Sequence, residues 1–333
     1  MTTIIKLGAF ALAVSLAACG GEPATTSAPA ETPSASPAST APQTQTVVSC
    51  NRGCLLAAVD QYVSALVAHD PLQAPFAADA KFTENTVVLD LGDGLWNTAS
   101  APPSAYQLKA TDPETGNAAF YLIMEESGSP IWLSGRLHVA NGEIDELETV
   151  VIRQGLGGSG FGAYDLTEVD PEWNAIVPVE QRNTREELFD IADRYVETLD
   201  ADLAGHVQFD PDCNRIENGV ITANNPNATS GMGAASCQEN VDSGMWVYIT
   251  DINPRRFLVA DVERGIAMGM FMFHQDGSHE FAMVNGERVE YSGATRRPFT
   301  TVIPEMFKVR DGKITRIVAT MASIPYKSRS GWD

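Results

Sequence analysis

The strand-like run GIAMGMFMFH, residues 265–274, is the stretch of this sequence best suited to acid–base chemistry. Alternation puts Ile266, Met268, Met270, Met272 and His274 on one face, and Ala267, Gly269, Phe271 and Phe273 on the other. Thioethers adapt to irregular apolar ligands and an imidazole titrates near neutral pH, so the first face suits proton transfer on a hydrophobic molecule. Core packing is the competing reading of the same stripe.

Beyond it, Arg296 and Arg297 offer paired donors for a substrate carboxylate or a developing oxyanion, against a reading as solvated surface. The sequence has no serine-centred elbow, no His-x-x-x-His pair and no dinucleotide fingerprint, and its GLGGSGFG cluster lacks the Lys-Ser/Thr of a phosphate loop. The expectation is a site with no metal and no cofactor.

The elements that must hold these groups occur twice. KFTENTVVLDLGDGLW, residues 81–96, returns in degraded form as NRIENGVITANN and VDSGMW. Phe76, Asp79, Glu84 and Asn85 fall on Phe209, Asp212, Glu217 and Asn218 at a constant offset, and Trp96 meets Trp246 after an insertion. The repeated tryptophans read as core or cavity wall, and Trp246 as substrate-binding. Asp210 has no acidic counterpart in the first copy, which makes it a catalytic candidate. His274 falls on Glu125, so the halves differ in ionisable chemistry there and the second is the one expected to be active.

Before each copy lies an amphipathic helical pattern, residues 54–70 and 185–202, and after each come long strand-like runs broken by Asn141-Gly142 and Asp311-Gly312, both strong hairpin signals. The pattern predicts an α+β fold of two tandem cones, each a curved antiparallel sheet packed on N-terminal helices. The expected divisions are a signal peptide at 1–18, a Pro/Ser/Thr/Ala tether at 19–48, domains at 49–153 and 184–327, a connector at 154–183 and a tail at 328–333. Phe161, Tyr164, Trp173, Ile176 and Val177 suggest that the connector wraps on a surface, with cover of a pocket mouth as the alternative.

The order helix, F-x-x-D, ENG-like turn, then strands ending in NGxI resembles the SnoaL-like, ketosteroid-isomerase-like superfamily with the cone fold of nuclear transport factor 2. The GDGLWNT run and the C-terminal IPYKSRSGW are also similar to those of a group of secreted bacterial and fungal proteins. The resemblance implies pocket polar groups just after the helix-to-strand turn, which makes Glu217 a base or an orienter of His274 and Asn218 a substrate contact, against a turn role for both. It also implies phenol donors, for which Tyr291 and Tyr326 are candidates.

The N-terminal run ending in Leu16-Ala17-Ala18-Cys19 resembles a bacterial lipobox, with Cys19 as the lipidated residue and Gly20 favouring the outer membrane, facing the periplasm. In an oxidising compartment the remaining cysteines would pair, Cys213 with Cys237 across the second-copy insertion and Cys50 with Cys54 locally; a zinc site is the weaker alternative. A net charge of −21, from 43 acidic and 22 basic residues, opposes nucleic-acid binding. The expected partners are a small-molecule substrate, the membrane through the lipid anchor alone, and a second copy or the other repeat. The expected activity is elimination or isomerisation of a small, largely apolar or aromatic molecule in the second cone. The alternatives are a noncatalytic binding or assembly module and an epoxide or ester hydrolase.

Overall fold

The computed structural model describes residues 50–153, 166–201 and 206–332. Cys19, Phe161, Tyr164, the signal-like run, the tether and the glycine cluster lie outside them.

Helix α1 (Arg52–Val67) buries Leu55, Ala58, Val59, Tyr62, Val63 and Leu66, the three- and four-residue spacing of one apolar face. Asn51 caps it by accepting from the Cys54 amide at 3.0 Å, and Cys50, just outside the helix, is disulfide-bonded to Cys54. The strands that follow are β1 (Phe76–Glu84), β2 (Val87–Leu89), β3 (Ala99–Ala101), β4 (Gln107–Asp112), β5 (Asn117–Glu126), β6 (Ser129–Ala140) and β7 (Glu143–Arg153). Their order is β2-β1-β7-β6-β5, with β3 and β4 both pairing β5.

The second half repeats the plan. Helix α2 (Arg185–Ala201) is followed by β8 (Phe209–Glu217), β9 (Val220–Ala223), the short helices α3 (Gly231–Ala234) and α4 (Cys237–Val241), then β10 (Asp251–Asp261) and β11 (Ile266–Gln275). A separate hairpin, β12 (Phe281–Val284) with β13 (Glu287–Glu290), precedes β14 (Phe299–Arg310), β15 (Lys313–Ala319) and β16 (Ala322–Ile324). The order is β9-β8-β15-β14-β11-β10, with β16 on β14. Thus β8, β9, β10, β11, β14 and β15 stand where β1, β2, β4, β5, β6 and β7 stand in the first half. Among the described residues neighbouring strands run antiparallel, except β1 beside β7 and β8 beside β15. The fold is α+β, a helix on a curved sheet, twice.

The turns explain the repetition. Asn141-Gly142 and Asp311-Gly312 join β6 to β7 and β14 to β15 with positive φ at both residues, the two-residue hairpin geometry that glycine and asparagine tolerate. Asn85 and Asn218 both adopt φ 47°, and each clasps the backbone of the last strand segment from both sides. Asn85 bonds the Val151 amide and carbonyl at 2.8 and 3.1 Å, and Asn218 those of Met321 at 2.7 and 3.1 Å.

Each helix covers one face of its own sheet. The other two faces cover each other, with Tyr106, Tyr121 and Trp132 against Val259, Met268, Met270, Met272 and Met306. Trp173 of the connector is buried in the same layer and Val177 is buried, whereas Ile176 is exposed. A reciprocal lock closes this contact. Arg52, opening α1, pairs with Asp261 at the end of β10, and Arg185, opening α2, pairs with Asp112 at the end of β4. Asp261 also accepts from the Thr111 amide at 3.2 Å, and Asp112 from the Ala260 amide at 3.0 Å. Both aspartates are buried, so each charge depends on the other half for its partners.

Asp261→Ala should therefore cost about 2 kcal/mol by leaving the buried Thr111 amide without its acceptor and Arg52 with Glu263 as its remaining carboxylate partner. The exposed Lys109–Asp60 pair is the control, and Asp60→Ala should cost less than about 1 kcal/mol. Urea denaturation compares the two, and equal losses would remove the lock from the account of stability.

Candidate functional site

Between α2 and the second sheet lies a cavity of about 310 Å³, walled mainly by Leu199, Trp246, Tyr248, Ile249, Phe273, Ile303 and Met321. Its polar groups converge through the sheet register. Ala319 on β15 pairs with Glu305 of β14 on one side and with Glu217 of β8 on the other. The two glutamates therefore sit two strands apart on the same face, roughly 9–10 Å between backbones. Only the Ala319 methyl stands between them, which leaves both carboxyls room to enter the cavity.

Arg215, two residues before Glu217 and hence on the same face, lies 3.5 Å from it and is fully buried. Its guanidinium donates to Thr222 at 3.0 Å and to the Asn240 side chain at 3.5 Å, and lies 5.4 Å from the Trp246 ring centre. Asn240 belongs to α4, which the Cys213–Cys237 disulfide ties to β8. From α2, Tyr195 presents its phenol to both Arg215 and Glu305 and interacts electrostatically with each. The insertion that interrupts the repeat thus supports the cationic member of the cluster.

The electrostatics follow from burial. The Glu305 carboxyl rises from 4.5 to about 8, first by desolvation and then by the charge of Glu217, with Arg215 and Tyr195 opposing. Burial pushes the Tyr195 phenol well above 10. For Arg215, burial disfavours the charge but Glu217, Tyr195 and Glu305 outweigh it and raise the pKa. A second cavity of about 400 Å³ shares Glu217, Trp246, Tyr248 and Met321 with the first and reaches Arg215 and Met232.

In the first half, aromatic side chains fill the corresponding space. Strand pairing sets Phe120 opposite Gly135, where the second half has Gly269 opposite Glu305. Thr149 stands at the place of Ala319, and Phe82 at the place of Arg215. The Phe120 ring lies 5.6 Å from Tyr62, the counterpart of Tyr195, and these rings fill the space with Trp96. Glu84, the counterpart of Glu217, is consumed by the Leu95 amide at 2.7 Å and by Arg153 at 2.9 Å.

Several expected site residues lie elsewhere. Met268, Met270 and Met272 face the first sheet, so the stripe is inter-sheet core. His274 shares that face, and both ring nitrogens are engaged, one with the Thr300 hydroxyl at 2.7 Å and the other with the Asn253 carbonyl at 2.8 Å. Glu125, its counterpart, is exposed. Asp210 accepts from the Asp212 amide at 3.0 Å at the start of β8, and Asn218 is the backbone clasp described above. Tyr291 gives its hydroxyl to the Met245 carbonyl and packs edge-on to Tyr248, outside the cavity lining. Arg296 pairs with the exposed Glu280 at 3.1 Å and Arg297 is exposed; the turn carrying them lends only Ala294 and Thr295 to the rim. Tyr326 is exposed beside His274. Glu217 and Trp246 do line the cavity. Tyr195, Arg215, Gln275 and Glu305 were not among the expected residues. The signal for Glu305 was a single carboxylate inside the apolar strand TTVIPEMF, on the alternate facing Ile303 and Phe307.

Residues 181–321 match a family model described as Domain of unknown function (DUF8021), less than half of the chain but all of the cavity lining. No curated protein matches. Similar solved structures include a de novo designed protein with a curved β-sheet, at 15% identity over 42% of this chain and 88% of that one, TM-score 0.25. An NTF2-like protein of unknown function from Cytophaga hutchinsonii ATCC 33406 is 14% identical over 29% and 89% of the respective chains, TM-score 0.24. AusH from Aspergillus nidulans is 11% identical over 44% and 90%, TM-score 0.26. At these TM-scores the likenesses add nothing to what the strand order itself shows.

The raised Glu305 carboxyl has a thermodynamic consequence. Between about pH 4.5 and 8 the folded chain holds a proton that the unfolded chain has released, so this group's contribution to stability falls as pH rises through that window. Glu305→Gln should flatten that fall and be the more stable protein above pH 8, as measured by urea titrations from pH 5 to 9. An unchanged pH slope would show that Glu305 is not the group holding the proton.

Proposed function

We propose that the second cone binds a small, largely apolar molecule and transfers a proton on it, as a lyase or isomerase of the SnoaL-like, NTF2-like kind. The observation that carries this is the pair Glu217 and Glu305 flanking Ala319 in an apolar cavity, one ion-paired to Arg215 and the other pushed up to about 8 by burial. Two carboxyls whose surroundings differ in this way supply a base and an acid at one pH. Glu217 takes a proton from the carbon next to a carbonyl. Glu305, protonated at neutral pH and held by Tyr195, donates to the carbonyl oxygen as charge develops on it. Return of the proton at another carbon gives isomerisation, and departure of a leaving group from the adjacent carbon gives elimination. The two disulfides support the further proposal that the chain works in an exported, oxidising setting.

The test needs no knowledge of the product. Incubation with 4-acetylbiphenyl in deuterated buffer, followed by proton NMR, reads exchange of the methyl protons beside the carbonyl. Wild type should accelerate exchange, and Glu217→Gln and Glu305→Gln should each lower the rate by about 100-fold or more while binding persists. His274→Ala should leave the exchange rate within about threefold once folding is verified. Binding without exchange would replace this reading with a noncatalytic carrier.

A further inference from the structure

The far end of the same cavity holds a polar group that the proton-transfer scheme does not use. Gln275, the last residue of β11, is 4% exposed and lines the cavity. Its Oε1 is fully buried and has no hydrogen-bond partner among the described residues. A buried carboxamide oxygen left without a donor is costly, and such groups are rare in folded proteins.

In the first half the equivalent position has partners. The strand register that sets Gly269 on Phe120 sets Gln275 on Glu126. Glu126 is bonded by Arg153 and by the Thr98 hydroxyl at 2.6 Å. Arg153 pairs across the sheet with Ile131, and the matching pair in the second half is Ser323 with Thr301. The arginine that satisfies Glu126, and Glu84 as well, is therefore a serine in the second half. Without such an arginine, Glu217 lines the cavity, and the Gln275 carboxamide lies at the cavity lining with its oxygen buried and without a donor among the described residues.

We propose that Gln275 is a specificity-determining residue that accepts a hydrogen bond from a hydroxyl or amine at the distal end of the ligand. Gln275 pairs with Phe299, six residues along β14 from Glu305, a backbone span of roughly 20 Å at about 3.3 Å per residue. Phe273 and Ile303 occupy the stretch between. The ligand class is accordingly an elongated molecule with a carbonyl at the Glu305 end, an apolar body and a hydrogen-bond donor at the other end. This rests on the proton-transfer reading for the carbonyl end only.

The probes are 4-acetyl-4′-hydroxybiphenyl and 4-acetyl-4′-methylbiphenyl, titrated calorimetrically into wild type and Gln275→Leu. Wild type should bind the hydroxyl compound at least about tenfold more tightly than the methyl one, and Gln275→Leu should abolish that preference, chiefly by binding the methyl compound better. The ligand-free Gln275→Leu protein should melt at the same temperature as wild type or higher, because an unpaired acceptor has been replaced by an apolar group. A clear fall in melting temperature would mean a structural partner for Gln275 and overturn the proposal. If wild type binds both probes equally, or the preference survives Gln275→Leu, the proposal falls and the proton-transfer reading stands. If neither probe binds, both fall together.

Discussion

Each sheet of this protein has two faces that must leave water and only one long helix to cover them. The back-to-back contact between the sheets removes the second face of each, and the reciprocal arginine–aspartate lock pins that contact where the ends of β4 and β10 meet. A buried aspartate with no partner would cost several kcal/mol, so neither half is complete without the other. The contact also decides which alternate of every central strand points toward a helix. In β11 the methionines are assigned to the sheet contact, and Gly269, Phe271, Phe273 and Gln275 to the helix side.

That assignment marks the limit of what residues 265–274 could reveal. The two hairpins, the two helices, both disulfides and the doubled helix-and-sheet plan were legible because each rests on a local rule: asparagine and glycine at positive φ, apolar spacing along a helix, or cysteines within reach. Choosing a face of β11 was not a local matter, since both alternates are apolar and alternation is symmetric between them. His274 ends the methionine stripe with an imidazole, yet its two nitrogens serve the Thr300 hydroxyl and the Asn253 carbonyl. Glu217 was legible through the repeat. Glu305 was not, because its counterpart Gly135 has no side chain to align with it.

The repeat also shows how a filled core becomes a cavity without a change of topology. Phe120 gives way to Gly269, whose place is filled by the ring of Phe271, and Thr149 gives way to Ala319, whose smaller side chain leaves space between Glu217 and Glu305. In a close-packed interior that space either collapses or is used. Here Trp246, the counterpart of Trp96, and Tyr248 wall it off instead, and the Cys213–Cys237 bridge holds the insertion that precedes them against β8.

Charge then sets what the space can do. The first half places Glu84 and Glu126 around one arginine, Arg153, whose side chain is 23% exposed. The second half has its arginine at position 215, 2% exposed, beside the half-buried Glu217 and the buried Glu305. One buried cation cannot neutralise two buried carboxylates, and the interior has no water to screen the surplus. The shortage is met by keeping a proton on Glu305, the deeper of the two and the one without a salt bridge to Arg215. A poised acid beside an ion-paired carboxylate is therefore the electrostatic outcome of two glutamates competing for Arg215, and it would persist whichever apolar molecule enters.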